Sequence, residues 1–307
     1  MGKPFCAAFC ISLFCAVLNV TAQETQAGNV NPIYKPLDIE GAQRKEVEPY
    51  RSAYLKPFGQ KQLSAMLENA ETYRLYIRAE LKKREMPAVL EYLPVIESGY
   101  NPSARSKDGQ GVGLWQFMPN SVAPFLTVSA WIDERLDPWK STQAALSKLQ
   151  ANYAIFKDWP LAIGAYNCGA GAMQRALAKA QQKTYWYVAE QKLIPDHTIR
   201  YVPKLLAAAD VAENAAYYNV AMPSAKNEDG NPINPRAGEF DYITVHSSFA
   251  LRLLAAELRM DNELLENLNP ALLYGITPPD SSYTLRLPPG MENAALHAVT
   301  IISKSGK

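Results

Sequence analysis

Cysteine and histidine are scarce in this chain of 307 residues, and their positions exclude two ways of holding a fold together. Cys6, Cys10 and Cys15 fall within the first 22 residues, so Cys168 is the only cysteine in the remainder. A single thiol cannot form an internal disulfide, and beside apolar residues we expect it to be a packing residue. The three histidines lie about fifty residues apart without a second ligand at helical or turn spacing, which predicts no metal site.

An excess of charge of either sign is also missing. Lys and Arg number 31 against 30 Asp and Glu. This balance gives no electrostatic reason to expect nucleic acid or an anionic membrane as the main partner. Hydrophobic residues make up 48% and charged residues 20%, which excludes global disorder and a polytopic membrane protein. We therefore expect the bulk of the chain to be globular.

Strongly apolar segments are absent except at the amino terminus. Lys3 precedes an uncharged segment from Pro4 to Leu18, and Val20-Thr21-Ala22 then places compact residues where a signal peptidase cleaves. The segment is shorter than the roughly 20 apolar residues that span a bilayer, so a membrane anchor is the less favoured alternative. We interpret residues 1–22 as a secretory signal cleaved near Ala22, which predicts an exported protein.

The middle of the chain has the apolar spacing of helices. Residues 23–58 lack sustained periodicity and predict an extended or partly ordered leader, whereas residues 59–219 predict one mainly α domain. Two helices are predicted before the glycine-rich loops, from Lys61 to Arg84 and from Pro87 to Gly99, and Pro94 is expected to kink or end the second. After the loops, one helix is predicted from an N-cap at Ser141 to about Lys157, and another begins after a cap at Asp158. Two more are predicted, one following Gly171 and one from Thr198 to Glu213.

A second, smaller unit is predicted at the carboxyl end. Residues 220–240 are dense in Pro, Asn and Gly and poor in large apolar residues, which indicates a linker. Residues 241–290 predict a small α+β module in the order βααβ, followed by a tail over 291–307. The strands are expected at 242–245 and 283–287, and the helices at 247–258 and 262–268.

One carboxylate stands out from the ordinary surface acids. Glu97 ends an apolar helix and precedes the turn at Gly99. Against a hydrophobic wall, a carboxyl loses solvation and its pKa rises above the usual value of about 4.3. A carboxyl that keeps its proton near neutral pH can act as a general acid. Taken alone, the pattern also fits a solvated glutamate at a helix end.

Two glycine turns join aromatic rings to amide side chains. They are Gly113-Leu114-Trp115-Gln116-Phe117-Met118-Pro119 and Ala165-Tyr166-Asn167-Cys168-Gly169. Amides can hydrogen-bond the hydroxyl and N-acetyl groups of sugars, and flat aromatic faces can cover the C–H faces of sugar rings. All five tryptophans fall within 72 residues of one another. We expect most of them in the core, with Trp115 as the exception that faces a ligand.

Four sequence motifs follow one another over about 110 residues. They are Pro94-x-Ile96-Glu97-Ser98-x-Tyr100-x-Pro102-x-Ala104-x-Ser106, then Gly113 to Pro119, then Ala165-Tyr166-Asn167-x-Gly169, and finally Thr198-x-x-Tyr201-Val202-Pro203-Lys204. In this order they resemble the lytic transglycosylases of the goose-type lysozyme superfamily, most closely the membrane-bound D type. The resemblance implies a lysozyme-like α-helical catalytic domain that acts on peptidoglycan glycan strands in the periplasm or cell envelope of a bacterium, without a cofactor.

The resemblance also implies roles for particular residues. Glu97 is then the catalytic acid and base, and Tyr166 orients it. Ser106, Gln116, Tyr166, Asn167 and Tyr201 are implied as groove residues, and Trp115 from the aromatic pattern completes the predicted substrate-binding set. Gln116 and Asn167 are expected to address the saccharide.

Two departures from the family pattern bear on that expectation. The segment 106–113 is one residue longer than usual, which is expected to reshape the lip of the groove beside Gln116. His197 stands where the family commonly has Glu. If that acid supports the site, His197 weakens activity or alters its pH dependence, unless Asp196 takes its place.

The number of acids in the motifs bears on the mechanism. Most glycosidases use two carboxylates, about 5–5.5 Å apart when retaining and about 6.5–9.5 Å apart when inverting, whereas the motifs supply one. The resemblance implies that Glu97 protonates the bond between N-acetylmuramic acid and N-acetylglucosamine, and that the muramyl C6 hydroxyl closes a 1,6-anhydro ring without water. Asp108, Asp133, Glu134 or Asp137 could supply a second carboxylate. A hydrolytic lysozyme-type muramidase and an inactive peptidoglycan-binding protein therefore stay open as alternatives.

The carboxyl-terminal module resembles a degenerate LysM module. The phrases that carry the likeness are Tyr242-x-x-Val245, Leu265-x-x-Leu268-Asn269-Pro270 and Leu285-x-Leu287-Pro288. The usual Gly-Asp-Thr after the first strand is replaced by His246-Ser247-Ser248. Carbohydrate binding and a purely packing role are both open for this module.

Overall fold

The computed structural model describes residues 32–223 and 239–305. The predicted secretory signal (1–22) and most of the predicted linker (220–240) lie outside the described residues. The described chain from Ile33 onward belongs to one compact unit. Within the described residues, no helix is both long enough and apolar enough to cross a bilayer.

The described chain is mainly helical, as predicted, with a two-stranded sheet near its carboxyl end. The helices are α1 Glu48–Leu55, α2 Pro57–Asn69, α3 Glu71–Lys83, α4 Leu93–Ser98, α5 Pro138–Phe156, α6 Trp159–Cys168, α7 Ala170–Lys179, α8 Tyr185–Glu190, α9 Asp196–Ile199, α10 Tyr201–Glu213, α11 Leu251–Leu258, α12 Asn262–Leu268 and α13 Glu292–Ser305, and the strands are β1 Asp241–Val245 and β2 Tyr283–Leu287. Short 3₁₀ turns cover Ala88–Tyr92, Pro119–Ser121 and Glu134–Leu136.

Helix α10 lies in the middle of the larger hydrophobic core. Its sequence from Val202 to Val211 is apolar on nearly every face, and the side chains along this stretch are buried except at Lys204. A helix that is hydrophobic all round must be enclosed by other elements. Helices α1, α4, α6 and α9 contact it. The first residue of this helix, Tyr201, is thereby fixed at the site described below.

The predicted leader contains a helix, which corrects the expectation of an extended segment over 23–58. Helix α1 packs against α10, and the preceding residues Ile39 and Val47 are buried. The guanidinium of Arg51 donates a hydrogen bond of 2.6 Å to the buried Asp210. Apolar periodicity could not show this helix because an ion pair with a residue 159 positions away holds it in place.

Two predicted helix boundaries are also corrected. The helix expected from Lys61 to Arg84 is divided at Ala70 into α2 and α3. Ala70 keeps right-handed helical dihedral angles (φ −78°, ψ −16°), so the apolar spacing continues across the break and conceals it. Asp137, and not Ser141, caps α5, because its carboxylate accepts hydrogen bonds from the amides of Trp139 and Lys140 at 3.0 and 2.9 Å.

The segment that carries Glu97 follows the prediction only at its carboxyl end. The α-helix expected from Pro87 begins at Leu93, and a 3₁₀ turn over Ala88–Tyr92 precedes it. Pro94 lies in the first turn of α4 and does not close the helix, because an amide there needs no helical partner. The helix ends as predicted at Gly99, which adopts φ +61°, a left-handed conformation that favours glycine.

The carboxyl-terminal module has the predicted βααβ order. Strands β1 and β2 pair antiparallel, with Ile243 opposite Leu285. Helix α11 begins at Leu251 and not at 247, because Ser248 and the amide of Phe249 hydrogen-bond Thr277 instead. The tail predicted over 291–307 contains α13, whose Ala295 and Ala298 join the hydrophobic core of the module.

The module is fastened to the helical domain. Ile132, from the segment before α5, lies in the core of the module and pairs with Leu272 in an antiparallel bridge. The guanidinium of Arg286 on β2 donates to both carboxylate oxygens of Asp137, at 2.9 and 3.2 Å, and lies 4.5 Å from the ring of Trp139. Both Arg286 and Asp137 are buried. The cap of α5 and the attachment of the module therefore share one carboxylate.

Candidate active site

A cavity of about 660 Å³ opens on the helical domain and contains Glu97. Its described lining consists of Glu97, Ser106, Gly111, Gln116, Met118, Asn120, Ser121, Ala123, Phe125, Lys148, Tyr166, Asn167, Cys168, Gly169 and His197. Within this lining Glu97 is the only carboxylate. Amide, hydroxyl and aromatic side chains surround it, which is the composition expected of a site for a neutral polar ligand such as a sugar.

The carboxyl group of Glu97 is held by two neighbouring elements. It lies in the last turn of α4, and the adjacent Ser98 donates a hydrogen bond of 2.8 Å to the carbonyl of Leu114. The phenol of Tyr201, at the start of α10, donates a hydrogen bond to Oε1 of Glu97. Tyr201 is itself only 6% exposed, so this donor cannot swing away into solvent.

The surroundings of Glu97 change its acidity in opposite directions. Loss of solvation raises its pKa to about 7, while the hydrogen bond from Tyr201 and the positive charge of Lys148 both act to lower it. Desolvation is the largest of these effects, since burial disfavours the charged form of a carboxyl. A carboxyl with a pKa near 7 is protonated in about half of the molecules at neutral pH, which suits a group that must first donate a proton and then accept one.

Tyr166 does not orient Glu97, which corrects the role expected for it. Its hydroxyl donates a hydrogen bond of 3.0 Å to the carbonyl of Trp115, and its ring lies in the cavity wall. Tyr201 makes the contact to Glu97 instead. Both tyrosines come from motifs that the sequence singled out, but only the packing of α6 against α10 decides which hydroxyl reaches the carboxyl.

Trp115 belongs to the core, so the expectation that its ring faces a ligand is wrong. Its side chain is 0% exposed. The indole N–H donates a hydrogen bond of 2.9 Å to Thr142, whose hydroxyl in turn donates to the carbonyl of Pro138. The tryptophan therefore joins the turn after Gly113 to α5 and contributes to the site through its backbone carbonyl.

Ser106 and Gln116 line the lip of the cavity. The side-chain amide of Gln116 donates to the carbonyl of Gly113 at 2.8 Å, and its backbone takes φ +49°. The hydroxyl of Ser106 accepts a hydrogen bond of 2.8 Å from the amide of Gly111. A methyl group at Gly111 would lie 2.8 Å from the side-chain oxygen of Gln116, so this glycine allows the two polar side chains to approach each other.

Asn167, Cys168 and His197 form the opposite edge. Thr198 donates a hydrogen bond of 2.7 Å to the side-chain oxygen of Asn167, which leaves the Asn167 amino group as the donor available to a ligand. Cys168 packs against the helical core as expected and also lines the cavity, and burial raises the pKa of its thiol. His197 is exposed at the mouth of the cavity.

The acids considered as a second carboxylate are engaged elsewhere. Asp133 pairs with Arg135 at 2.8 Å, Glu134 pairs with Lys140 at 2.8 Å, and Asp137 caps α5. Asp108 accepts a hydrogen bond of 2.5 Å from Ser106 on an exposed loop. Among the described residues none of these four acids lines the cavity. No cluster of three His, Cys, Asp or Glu that could hold a metal ion occurs in the described ranges.

Sequence reasoning missed Lys148 as a site residue. It lies on α5, and its ammonium group is 4.5 Å from the ring centroid of Tyr166 and 5.6 Å from that of Phe117. Burial lowers the pKa of this lysine, and Glu97 acts in the opposite direction. A lysine within an amphipathic helix carries no sequence signal of a buried position, so only the packing of α5 beside α4 and α6 reveals it.

Two family models match the chain. The transglycosylase SLT domain covers residues 74–189, which includes Glu97, the cavity lip and Asn167. The LysM-like domain of lytic transglycosylase MltD covers residues 239–299. Over these ranges the chain therefore matches an SLT-type domain followed by a LysM-like domain of the MltD type.

Among curated proteins, the chain is similar to membrane-bound lytic murein transglycosylase D of Escherichia coli strain K12 and of Escherichia coli O6:H1. Each is 35% identical over 161 residues, which is 50% of this chain and 34% of the relative. The chain thus spans about a third of the length of these relatives. A solved structure, an inactive mutant of the lytic transglycosylase Slt from Pseudomonas aeruginosa, matches 52% of this chain and 26% of its own with 22% identity and a TM-score of 0.39.

Proposed function

We propose that this protein is a peptidoglycan lytic transglycosylase, which cleaves the β-1,4 bond between N-acetylmuramic acid and N-acetylglucosamine and leaves a 1,6-anhydromuramyl end. The observation that carries the proposal is a single, desolvated carboxyl in a cavity otherwise lined by neutral polar and aromatic groups, apart from Lys148 and His197. The SLT-type domain around it and the similarity to transglycosylase D support the same chemistry.

In the first half of the reaction Glu97 acts as the acid. Its raised pKa keeps a proton available near neutral pH, and this proton passes to the glycosidic oxygen as the bond to the muramyl C1 breaks. Positive charge then develops on the sugar. Because the cavity lining offers no second carboxylate, the N-acetyl carbonyl of the substrate itself stabilises that charge.

In the second half Glu97 acts as the base. After proton transfer it is a carboxylate, and the hydrogen bond from Tyr201 favours this charged state. The carboxylate removes the proton of the muramyl C6 hydroxyl, whose oxygen attacks C1 and closes the anhydro ring. A hydroxyl held in the same molecule reaches effective molarities of 10⁵ M or more, which lets it compete with water at about 55 M.

The remaining cavity residues position the glycan. We assign saccharide hydrogen bonds to Ser106, Gln116 and Asn167, because these polar residues line the cavity. The ring of Tyr166 forms part of the wall against which a sugar packs. Tyr201 is assigned to orienting Glu97 and not to direct contact, because its hydroxyl is already bound to that carboxyl.

The proposed place of action is the cell envelope. The uncharged segment after Lys3 and the compact residues before Gln23 support export with cleavage near Ala22. The name of the curated relatives, membrane-bound lytic murein transglycosylase, supports an envelope location as well. No cofactor is proposed for this reaction, and peptidoglycan glycan strands are the proposed partner.

The test is mass spectrometry of the products released from purified peptidoglycan by the protein lacking residues 1–22. We expect muropeptides lighter by one water than reducing-end products, and their loss in Glu97→Gln. Reducing-end products would instead show hydrolysis by a lysozyme-type muramidase. Release of neither product, with glycan binding retained, would show an inactive peptidoglycan-binding protein.

A further inference from the structure

The cavity that holds Glu97 also contains a cation without an ion-pair partner. The ammonium of Lys148 lies over the ring of Tyr166 at 4.5 Å and near that of Phe117 at 5.6 Å. Of the described carboxylates, only Glu97 acts on it electrostatically, and the two groups form no ion pair. Lys148 is half-buried in the wall and belongs to the cavity lining.

No described side chain neutralises this ammonium when the site is ready for catalysis. A lysine ammonium has three N–H donors, and no hydrogen bond or ion pair joins it to another described residue. Before the reaction Glu97 must carry a proton, and in that state it offers Lys148 no counter-charge. A half-buried cation with free donors is stabilised by an incoming anion more than by a neutral hydroxyl.

The aromatic rings determine where such an anion binds. They hold the ammonium by cation–π attraction, and the lysine itself belongs to the cavity lining. The neighbouring lining groups, Ser106, Gln116 and Asn167, are neutral. Lys148 is thus the group in this wall that distinguishes an anionic ligand from an uncharged one.

We propose that Lys148 binds a carboxylate of the muramyl residue in the cavity and makes this site selective for anionic glycan strands. The proposal rests on the proposed function for the identity of the glycan. In strands freed of peptide the carboxylate is that of the lactyl ether on muramic acid. In strands that still carry peptide the lactyl group is an amide, and the carboxylate comes from the peptide.

The test measures binding in the Glu97→Gln background, which prevents cleavage and removes the charge of Glu97, so that any effect of Lys148 through the acidity of Glu97 is absent. The ligands are soluble peptide-free strands, the same strands with their lactyl carboxylates converted to methylamides, and peptide-bearing strands. Lys148→Met removes the charge at similar volume, and Lys148→Arg is the matched variant that keeps it.

We expect the Glu97→Gln protein to bind peptide-free strands about tenfold more tightly than their methylamides, the size of one charge-assisted hydrogen bond. Adding Lys148→Met should abolish this ratio, whereas Lys148→Arg should keep most of it. Because the ratio compares two ligands on one protein, partial misfolding does not imitate it. A loss confined to peptide-bearing strands also supports the proposal and assigns the carboxylate to the peptide.

The proposal is overturned if Lys148→Met leaves the ratio between peptide-free strands and their methylamides unchanged, which includes the case in which it weakens binding of both by the same factor. It is also overturned if no strand binds. Its failure is separable from that of the proposed function. Reducing-end products from the protein with Glu97 intact would contradict transglycosylation and leave the binding results unaffected. Anhydro products, with no binding ratio and no weaker binding of peptide-bearing strands by Lys148→Met, would contradict only the role of Lys148.

Discussion

At the scale of single residues, the proposed chemistry depends on how desolvation and two side chains act on one carboxyl. Desolvation raises the pKa of Glu97, and Tyr201 and Lys148 act to lower it. The apolar helix that ends at a glycine drew attention to Glu97, and the resemblance carried by four motifs implied that it is the acid. The partners of that carboxyl were not identified, since Tyr201 lies 104 residues away and reaches it only in the folded chain.

The hydrogen bond from Tyr201 predicts a shift in pH dependence. Activity of the unaltered protein should decline above about pH 7, where Glu97 loses its proton. Tyr201→Phe removes a donor that favours the ionised carboxyl, so the pKa of Glu97 should rise and the decline should move to higher pH. The rate at the optimum should fall about tenfold to a hundredfold, since the general base loses its support.

The measurement is the initial rate of anhydromuropeptide release between pH 5 and 9. Tyr166→Phe is the matched control, because it removes a tyrosine hydroxyl that binds the carbonyl of Trp115 and not Glu97. An unchanged pH profile in Tyr201→Phe, or the same shift in both variants, would contradict the role given to Tyr201.

The raised pKa of Glu97 also predicts that folding stability depends on pH. Between about pH 4.5 and 7 the unfolded chain ionises this group while the folded protein retains its proton, so the free energy of unfolding falls as pH rises. Glu97→Gln has no such proton to lose. Its free energy of unfolding should rise relative to that of the unaltered protein across that interval and stay higher above pH 7, by about 2 kcal/mol. This difference is smaller than the full pKa shift implies, because the carboxyl borders the open cavity.

Urea unfolding at pH 4.5 and pH 8 measures this difference. Glu68→Gln, on the exposed face of α2, controls for the loss of a carboxylate charge alone. A gain for Glu97→Gln that is the same at both pH values would show that the carboxyl is not desolvated in the folded protein.

At the scale of elements, the caps and turns decide how the helices are placed. Gly113 shows this most directly, since a methyl group there would lie 1.8 Å from the carbonyl oxygen of Arg135. The sequence marked this glycine as part of a turn, but the reason for it is the close approach of a second loop. Asp137 is the other case: it caps α5 and binds Arg286 of the distant β2, whereas Asp158 caps α6 through the amide of Leu161.

Loss of the two caps should therefore lower the free energy of unfolding by different amounts. Asp158→Ala removes a local N-cap and should lower the free energy of unfolding by about 1 kcal/mol. Asp137→Ala removes a similar cap and also leaves the guanidinium of Arg286 buried without its counter-charge, which should cost about 4 kcal/mol. Chemical denaturation of the two variants side by side measures the difference, and equal losses would show that the buried ion pair contributes nothing beyond the cap.

At the scale of the whole molecule, the LysM-like module is joined to the SLT-type domain by buried contacts. Its core includes Ile132 of the helical domain, and the amides of Asp133 and Leu273 donate hydrogen bonds across the junction to Ala271 and Trp131 at 2.8 and 3.0 Å. We expect a module fixed in this way to move together with the SLT-type domain.

Arg286→Met should loosen that junction. The substitution leaves Asp137 buried opposite an uncharged side chain, so the amides of Asp133 and Leu273 should exchange hydrogen about a hundredfold faster, in keeping with the loss of a buried pair. Arg252→Met, on the exposed face of α11, should leave these amides unchanged. Hydrogen-exchange mass spectrometry measures these rates. If the Arg286→Met protein folds and the amides at the junction exchange as slowly as before, the ion pair does not stabilise the junction.

The sequence by itself determined the mainly α class, the βααβ module and the ending of α4 at Gly99, because each of these depends on neighbours within a few positions of the chain. The choice of Glu97 as the proposed acid came from the resemblance carried by four motifs over about 110 residues. Apolar spacing, caps and glycine turns are local properties that the side chains express before any long-range packing. The tertiary structure alone decided that α1 belongs to the core, that Trp115 is buried, that Tyr201 and not Tyr166 holds Glu97, and that Lys148 lies in the cavity. Each of these depends on side chains far apart in the chain, whose distance and solvation are set only when the helices pack together.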